Sequence, residues 1–370
     1  MKTPRRILIS PLDWGLGHAS RIIPIIDKYL ELGDNVIIAG SGMSLNLLQK
    51  QFPHLQSIEI PSFKMKYSAG NSQVWAVAKA FPRLIYYSIK EHKALKRIVK
   101  QEKIDFIISD NRFGLFHKTV PSAYITHQLL IKLPKGWAWL ESFVAFMHRC
   151  IINRFTECWV PDFEDIGESL AGELSHPDIM PRNVRYIGIL SRFSKRCTPY
   201  GRATDGITIT QASPVLRTSD TCLQNRITPY GRENIITDCV LAYSQNSSLL
   251  TPNSSLLTIL SGAEPQRTML EKELLMSLQE DQHEDIILVQ GKVEAEQKVS
   301  KVGKVTVYNY INTEELQEYI LKADKIICRS GYSSIMDLHA LGKLKNATLI
   351  PTPGQTEQEY LAEYINNHIK

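Results

Sequence analysis

The sequence predicts an α/β protein made of two successive units, each a parallel sheet flanked by helices. Three observations lead there. First, a short β-rich run, Arg6-Ile7-Leu8-Ile9-Ser10, leads through a glycine-containing loop into a helical pattern and then into a second apolar run, Asn35 to Ala39. That strand–loop–helix–strand order is a βαβ unit, and it calls for parallel pairing. Second, the same alternation of apolar runs and helical patterns returns in the second half. Third, 370 residues with 43% hydrophobic and 22% charged side chains suffice for two soluble globular domains with a core each.

Taken in order, the first helix is expected over about 19–32, with Ile22, Ile25, Ile26 and Tyr29 at helical spacing, Pro24 in its early turns and Gly33 at its stop. Further strands are expected at 58–60, 106–108 and 122–125, with a long basic helical region over about 74–103 among them. In the second half the strands fall at 286–289, 305–307, 325–328 and 348–350, separated by helical patterns at about 268–279, 314–322, 333–341 and 357–367. The junction lies near Arg185, giving domains of 1–185 and 186–370. One segment breaks the pattern: from about 194 to 253 the chain is rich in Ser, Thr, Asn and Gln without sustained periodicity. "TPYGR" occurs there at 198–202 and 228–232, and "SSLLT" at 247–251 and 254–258. Two copies of five residues do not build a solenoid, so this reads as a weakly ordered or disordered insertion rather than a catalytic part.

The totals exclude several classes. No apolar run reaches the roughly 18 residues of a membrane span, and the basic N-terminus is followed by too short an apolar stretch for a signal peptide. Six cysteines without a Cys-x-x-Cys pair argue against a zinc site or disulfide framework and fit a reducing, cytoplasmic setting. The net charge of +5 is uneven: residues 61–150 hold 15 Lys and Arg against 5 Asp and Glu. That field suits an anionic partner or a membrane surface, or simply a solvated lysine-rich helix. No nucleic-acid motif accompanies it, so nucleic acid is not expected as a partner.

The loop Gly15-Leu16-Gly17-His18 opens like a dinucleotide fingerprint but departs from it twice. Ser20 stands where the third glycine belongs, and no acid closes the second strand, which runs into Ala39-Gly40-Ser41-Gly42. A nicotinamide cofactor is therefore not expected. What remains is a Gly-x-Gly turn that exposes backbone N–H groups at a helix N-terminus. His18 follows at the carboxyl end of the first strand. An imidazole with a pKa near ~6.5 is mostly a free base at neutral pH and can take a proton from an attacking hydroxyl; it could equally cap the helix. In the second half, Arg329-Ser330-Gly331 leads from a strand into a helix, which suits a diphosphate, and Asp337 further along could accept from sugar hydroxyls. The turn Pro351 to Tyr360 carries Gln355, Glu357, Gln358 and Glu359, and the loop Leu260 to Arg267 ends in Gln266 and Arg267, which could reach an anionic leaving group. Three strand-end loops of these residue types in one domain point to a nucleotide-sugar site.

Here the chain resembles a known family. "WGLGHASRIIPI", "SDNRFGLF", "ITHQL", "CWVPDFED", "YIGILSRF", "LSGAEPQR", "CRSGYSSIMDLHALG" and "IPTPGQTEQEYLA" are similar to the motifs of MurG-like glycosyltransferases of the GT-B type, family 28 and its relatives. The resemblance spans nearly the whole chain outside the insertion. It implies two Rossmann-like doubly wound domains facing a central cleft, the first binding the acceptor and the second a UDP-sugar. It also implies inverting transfer without a metal or other cofactor. By motif position His18 resembles the catalytic base, and Ser334 and Asp337 resemble donor-binding residues, Asp337 standing where the family usually has glutamate. Gln358 and Glu359 resemble the pair that reads the donor sugar, and glutamate at the second position leaves the sugar open.

The donor side is then expected to comprise Gln266, Arg267, Arg329, Ser330, Gly331, Ser334, Asp337, Gln355, Gln358 and Glu359. The acceptor side is expected to comprise Gly15, Gly17, Asp110, Asn111, Arg112 and His127. The implied acceptor is lipid-linked or a cell-envelope glycan, met at the cytoplasmic membrane face. Trp137, Trp139, Phe143 and Phe146, with Lys132, Lys135 and Arg149 around them, would suit such a face, although core packing is the first expectation for that stripe. Two departures from the family stand out, the 194–253 insertion and an apparently short C-terminus. Two alternatives remain open: an enzyme like UDP-GlcNAc 2-epimerase, which would need carboxylates near His18, and an inactive nucleotide-sugar-binding protein.

Overall fold

The computed structural model describes residues 3–63, 73–194, 255–262, 264–292 and 296–369. Two sheets form, as the alternation predicts. The first holds β1 (Arg6–Pro11), β2 (Asn35–Gly40), β3 (Gln56–Glu59), β4 (Phe106–Asp110), β5 (Ser122–Ile125), β6 (Glu157–Val160) and β7 (Val184–Tyr186). Their order is β3-β2-β1-β4-β5-β6-β7, and every pairing is parallel. The second sheet holds β8 (Ser255–Ile259), β9 (Asp285–Val289), β10 (Val299–Val302), β11 (Val305–Tyr308), β12 (Lys325–Arg329) and β13 (Ala347–Ile350), in the order β10-β11-β9-β8-β12-β13. It is parallel except for the β10–β11 hairpin.

In each sheet the order reverses beside the first strand, between β1 and β4 and between β8 and β12. Loops leaving neighbouring strands at such a point diverge to opposite faces, and the crevice they leave is where open α/β sheets bind ligands. The glycine loop follows β1, and Ser330-Gly331 follows β12, so both candidate motifs sit at switch points.

Helix α1 (Leu16–Glu31) begins three residues earlier than its apolar spacing predicts, which places His18 in its first turn. Ile22 and Ile26, both fully buried, pack toward β1 and β2 in one core with Ile7, Ile9, Val36 and Ile38. Each such side chain contributes about 1.5–3 kcal/mol by leaving water. Helix α2 (Gly42–Gln51) was not expected, because only Leu45 and Leu48 mark its buried face. The basic region forms α3 (Gln73–Glu102), and α4 (Glu141–Ile152) follows a 3-10 turn over Lys135–Leu140. In the second half come α5 (Gln266–Gln279), α6 (Thr313–Lys322), α7 (Tyr332–Ala340) and α8 (Thr356–His368).

One expectation changes. Most of the aromatic stripe is not core: Trp137 is half-buried, but Trp139 in the 3-10 turn is 75% exposed, and α4 buries Ala145, His148 and Ile152 and turns Phe143 (60% exposed) and Phe146 (52%) outward. Helix α8 itself returns to the first domain. Its Tyr364 hydroxyl donates to the Ser169 carbonyl at 3.2 Å, Thr356 Oγ1 donates to the Lys132 carbonyl at 2.7 Å, and the Tyr360 hydroxyl accepts from Glu173 N–H at 2.9 Å. The expectation of a disordered insertion falls, beyond Ser194, outside the described residues.

Candidate active site

The loops after β1, β4 and β5 face those after β8, β12 and β13 across a cleft of about 390 Å³. Two glycines make the close approach possible. Gly15 precedes α1 with φ of 154°, a conformation that other residues rarely adopt. Gly17 lies so near α7 that a Cβ would meet Ser333 Oγ at 2.9 Å. That serine donates to the Gly17 carbonyl at 2.9 Å, tying the two domains together one residue from His18.

His18 rests on a buried carboxylate. Its Nδ1 lies 3.1 Å from Asp110 Oδ2 at the end of β4. Arg21, one turn along α1, grips the same carboxylate: Nε donates to Oδ2 at 2.9 Å and Nη2 donates to Oδ1. Arg21 Nη2 also lies 2.9 Å from His18 Nδ1. Asp110 is fully buried. Burial alone would raise its carboxyl, but Arg21 and His18 outweigh burial and hold it below the usual carboxylate value. The His18 side chain keeps 20% of its surface exposed, toward the cleft. With a proton on Nδ1 shared with Asp110, Nε2 becomes the basic nitrogen.

His127, after β5, lies 3.5 Å from Arg21 through Nδ1 and 2.7 Å from Glu357 Oε1 of the second domain through Nε2. Its ring stacks on Tyr332 at 4.1 Å. Burial lowers His127 below the usual imidazole value, with Glu357 pulling the other way.

Of the residues expected at the site, Gly15, Gly17, His18, Asn111 and His127 line the cleft from the first domain, and Gly331, Ser334, Asp337, Gln355 and Gln358 line it from the second. Asp337 accepts from Ser191 Oγ at 2.7 Å and pairs with Arg192 at 3.2 Å. Burial raises its carboxyl, with Arg192 opposing. Gln358 Oε1 accepts from Thr352 N–H at 2.9 Å, which orients the amide.

The remaining expected residues are near the cleft but turned from it. Asp110 is covered by His18 and Arg21, so it supports the site rather than touching an acceptor. Arg112 is 1% exposed and bonds Glu91 at 3.0 Å and the Pro61 carbonyl at 2.7 Å. Arg267 is held by Glu264 at 2.6 Å and by the Gly291 carbonyl at 3.1 Å. Arg329 donates to the carbonyls of Pro351 at 2.8 Å and Gln266 at 3.0 Å, stapling three strand-end loops; burial brings it down to about 10, with Glu273 opposing. Gln266 thus serves Arg329 through its main chain. Ser330 donates to the Gln358 carbonyl at 2.8 Å, and Glu359 accepts from Gly354 N–H at 3.0 Å.

Arg21, Arg192, Ser333 and Glu357 were not among the expected site residues. Arg21 carried a signal, three residues after His18 on the same helix face, and Glu357 stands with Gln355 and Gln358 in the turn from Pro351 to Tyr360 that the sequence singles out.

Residues 257–370 match the glycosyltransferase family 28 C-terminal domain. Among solved structures the chain is similar to a UDP-glucosyltransferase from Polygonum tinctorium, with 12% identity, a TM-score of 0.53, and coverage of 100% of this chain and 84% of that one. It is also similar to UGT2 of Phytolacca americana, at 12% identity and a TM-score of 0.50, covering 98% and 84%. MurG of Acinetobacter baumannii aligns at 12% identity with a TM-score of 0.44, over 98% and 84%. Comparison with curated proteins gives no match. The structural likeness shows a fold of the GT-B type, as the motifs led us to expect.

Proposed function

We propose that the protein moves a sugar from a UDP-sugar to a lipid-linked or other cell-envelope glycan acceptor, with inversion and without a metal. The observation that carries this reading is His18, held by a buried carboxylate and one residue from the bond that joins α1 to the N-terminal end of α7. In the reaction His18 Nε2 takes the proton of an acceptor hydroxyl as its oxygen attacks the anomeric carbon. The bond from that carbon to the diphosphate breaks, its electron pair stays on the leaving oxygen, and the sugar's configuration inverts. The N-terminal end of α7 favours the charge gathering there. Arg267 faces away, so Arg192, which lines the cleft beside Asp337, is the cation we assign to that charge.

A panel of UDP-sugars, followed by release of UDP with native protein and with His18→Ala, tests this. Loss of the base should cost on the order of 10²–10⁴-fold in rate, and EDTA should leave the native rate unchanged. Equal rates with and without His18 would remove it as base; UDP binding without turnover would favour an inactive binder.

The exposed face of Trp139, Phe143, Phe146 and Met147 supports the membrane part of the reading, since Lys132 and Arg149 lie close by in sequence. An apolar surface with flanking cations suits the headgroup boundary of anionic lipid. No helix of the described residues is long and apolar enough to cross a membrane. Sedimentation with vesicles containing phosphatidylglycerol should carry the protein down, and Phe143→Ser with Phe146→Ser should abolish it. Equal sedimentation of both proteins would remove this face as the contact.

A further inference from the structure

His18, Asp110, Arg21, His127 and Glu357 form a continuous polar chain across the cleft. Four of them belong to the first domain; Glu357 stands in the first turn of α8, in the second. Proton directions along this chain follow from the groups themselves. A guanidinium only donates, so His127 presents the Nδ1 lone pair to Arg21 and carries its own proton on Nε2, which donates to Glu357 Oε1. The ring is 3% exposed and stacked on Tyr332 with planes 11° apart, so it has no room to turn. The opposite tautomer would aim an N–H at the Arg21 cation.

That choice matters at His18. Its Nδ1 faces two groups with opposite demands: Asp110 needs a proton there, and Arg21 Nη2 needs a lone pair. Only the first leaves Nε2 as a base. Arg21 held toward His127 and onto Asp110 favours it.

We infer that Glu357 is a positioning residue: by accepting the Nε2 proton of His127 at 2.7 Å it, more than Arg21 at 3.5 Å, fixes the tautomer that keeps Arg21 on Asp110, so His18 is set as a base only when the two domains are closed. The activity part of this inference rests on the glycosyl-transfer reading; the tautomer part does not.

The test compares native protein with Glu357→Ala and Glu357→Gln. Glutamine keeps an oxygen that accepts from Nε2, so it should retain most of the native rate. Alanine should lower kcat on the order of 10–100-fold, the size of effect that misplacement of a reacting group produces, with KM for donor and acceptor within about twofold. Nitrogen-15 spectra of labelled histidine, with His127→Gln identifying the signal, should show the proton on Nε2 in native protein and Glu357→Gln, and its redistribution toward Nδ1 in Glu357→Ala. A raised KM with unchanged kcat would make Glu357 a substrate contact and overturn the inference. An unchanged His127 tautomer in Glu357→Ala would overturn it whatever the rate. Native protein without turnover on any UDP-sugar, but with His127 still switching in Glu357→Ala, would overturn the transfer reading and support the tautomer lock.

Discussion

Asp110 has no exposed surface, yet the candidate chemistry depends on it. Replacing it with asparagine keeps the shape while removing the charge that retains a proton on His18 Nδ1 and neutralises Arg21. We expect Asp110→Asn to lower kcat by about 10²-fold or more, within the range a positioned base contributes, and steady-state kinetics on the best UDP-sugar checks it. An unchanged kcat would show that His18 needs no carboxylate. His18 was legible because histidine in a Gly-x-Gly turn has no packing reason to be there. Asp110 was legible as a site residue but not in its role, since a strand-end acid can face substrate or a neighbour. Arg21 has a signal in its spacing from His18, but the apolar pattern of its own helix obscures it. Arg267 and Arg329 show the limit most clearly: a motif gives a residue's place along the chain, whereas the direction of a guanidinium depends on which carbonyls lie within its reach.

Helix α4 has two faces with different partners. Outward lie Phe143, Phe146 and Met147; inward, His148 packs beside Tyr124 and Phe113. Burial brings the His148 imidazole down to about 4, with a contact to the Leu129 main chain opposing slightly. A lowered folded-state pKa means that the unfolded chain binds the proton more readily. The stability tied to a neutral His148 is therefore complete above the unfolded value near ~6.5 and is lost as pH falls from there toward about 4. The full loss is on the order of 3 kcal/mol. Urea unfolding at pH 7 and pH 5 should show a clear drop that His148→Gln reduces; parallel pH curves would place the sensitivity elsewhere. The α4 stripe was misread from sequence because spacing shows that a helix is amphipathic only when its polar face is polar, and here both faces carry large apolar residues.

At the scale of the molecule, the two-sheet design was readable because each βαβ unit repeats one pattern with period 2 or 3.6, and parallel strands buried on both faces leave long apolar runs. Contacts between domains were not readable, because they join residues such as Gly17 and Ser333 that share no local pattern. These contacts are unequally distributed. The loop over 161–176 receives the Tyr332 hydroxyl at the Pro161 carbonyl, 2.8 Å, and the Tyr364 hydroxyl at the Ser169 carbonyl, and its Glu173 N–H meets Tyr360. Elsewhere the Lys50 ammonium lies over the Tyr310 ring at 5.2 Å, a contact that is weak where water reaches it. We expect a pair of bodies joined this way to part like a book, with its spine along the tyrosines and its fore-edge at Lys50 and Tyr310. Spin labels at 50 and 310 should report a broad spread of distances without nucleotide and a narrow one with UDP, while labels at 165 and 363 stay unchanged; equal spread in both pairs would deny the spine. If the labels behave so, the consequence is one of traffic: a nucleotide-sugar is expected to enter and leave at the fore-edge while the spine stays shut.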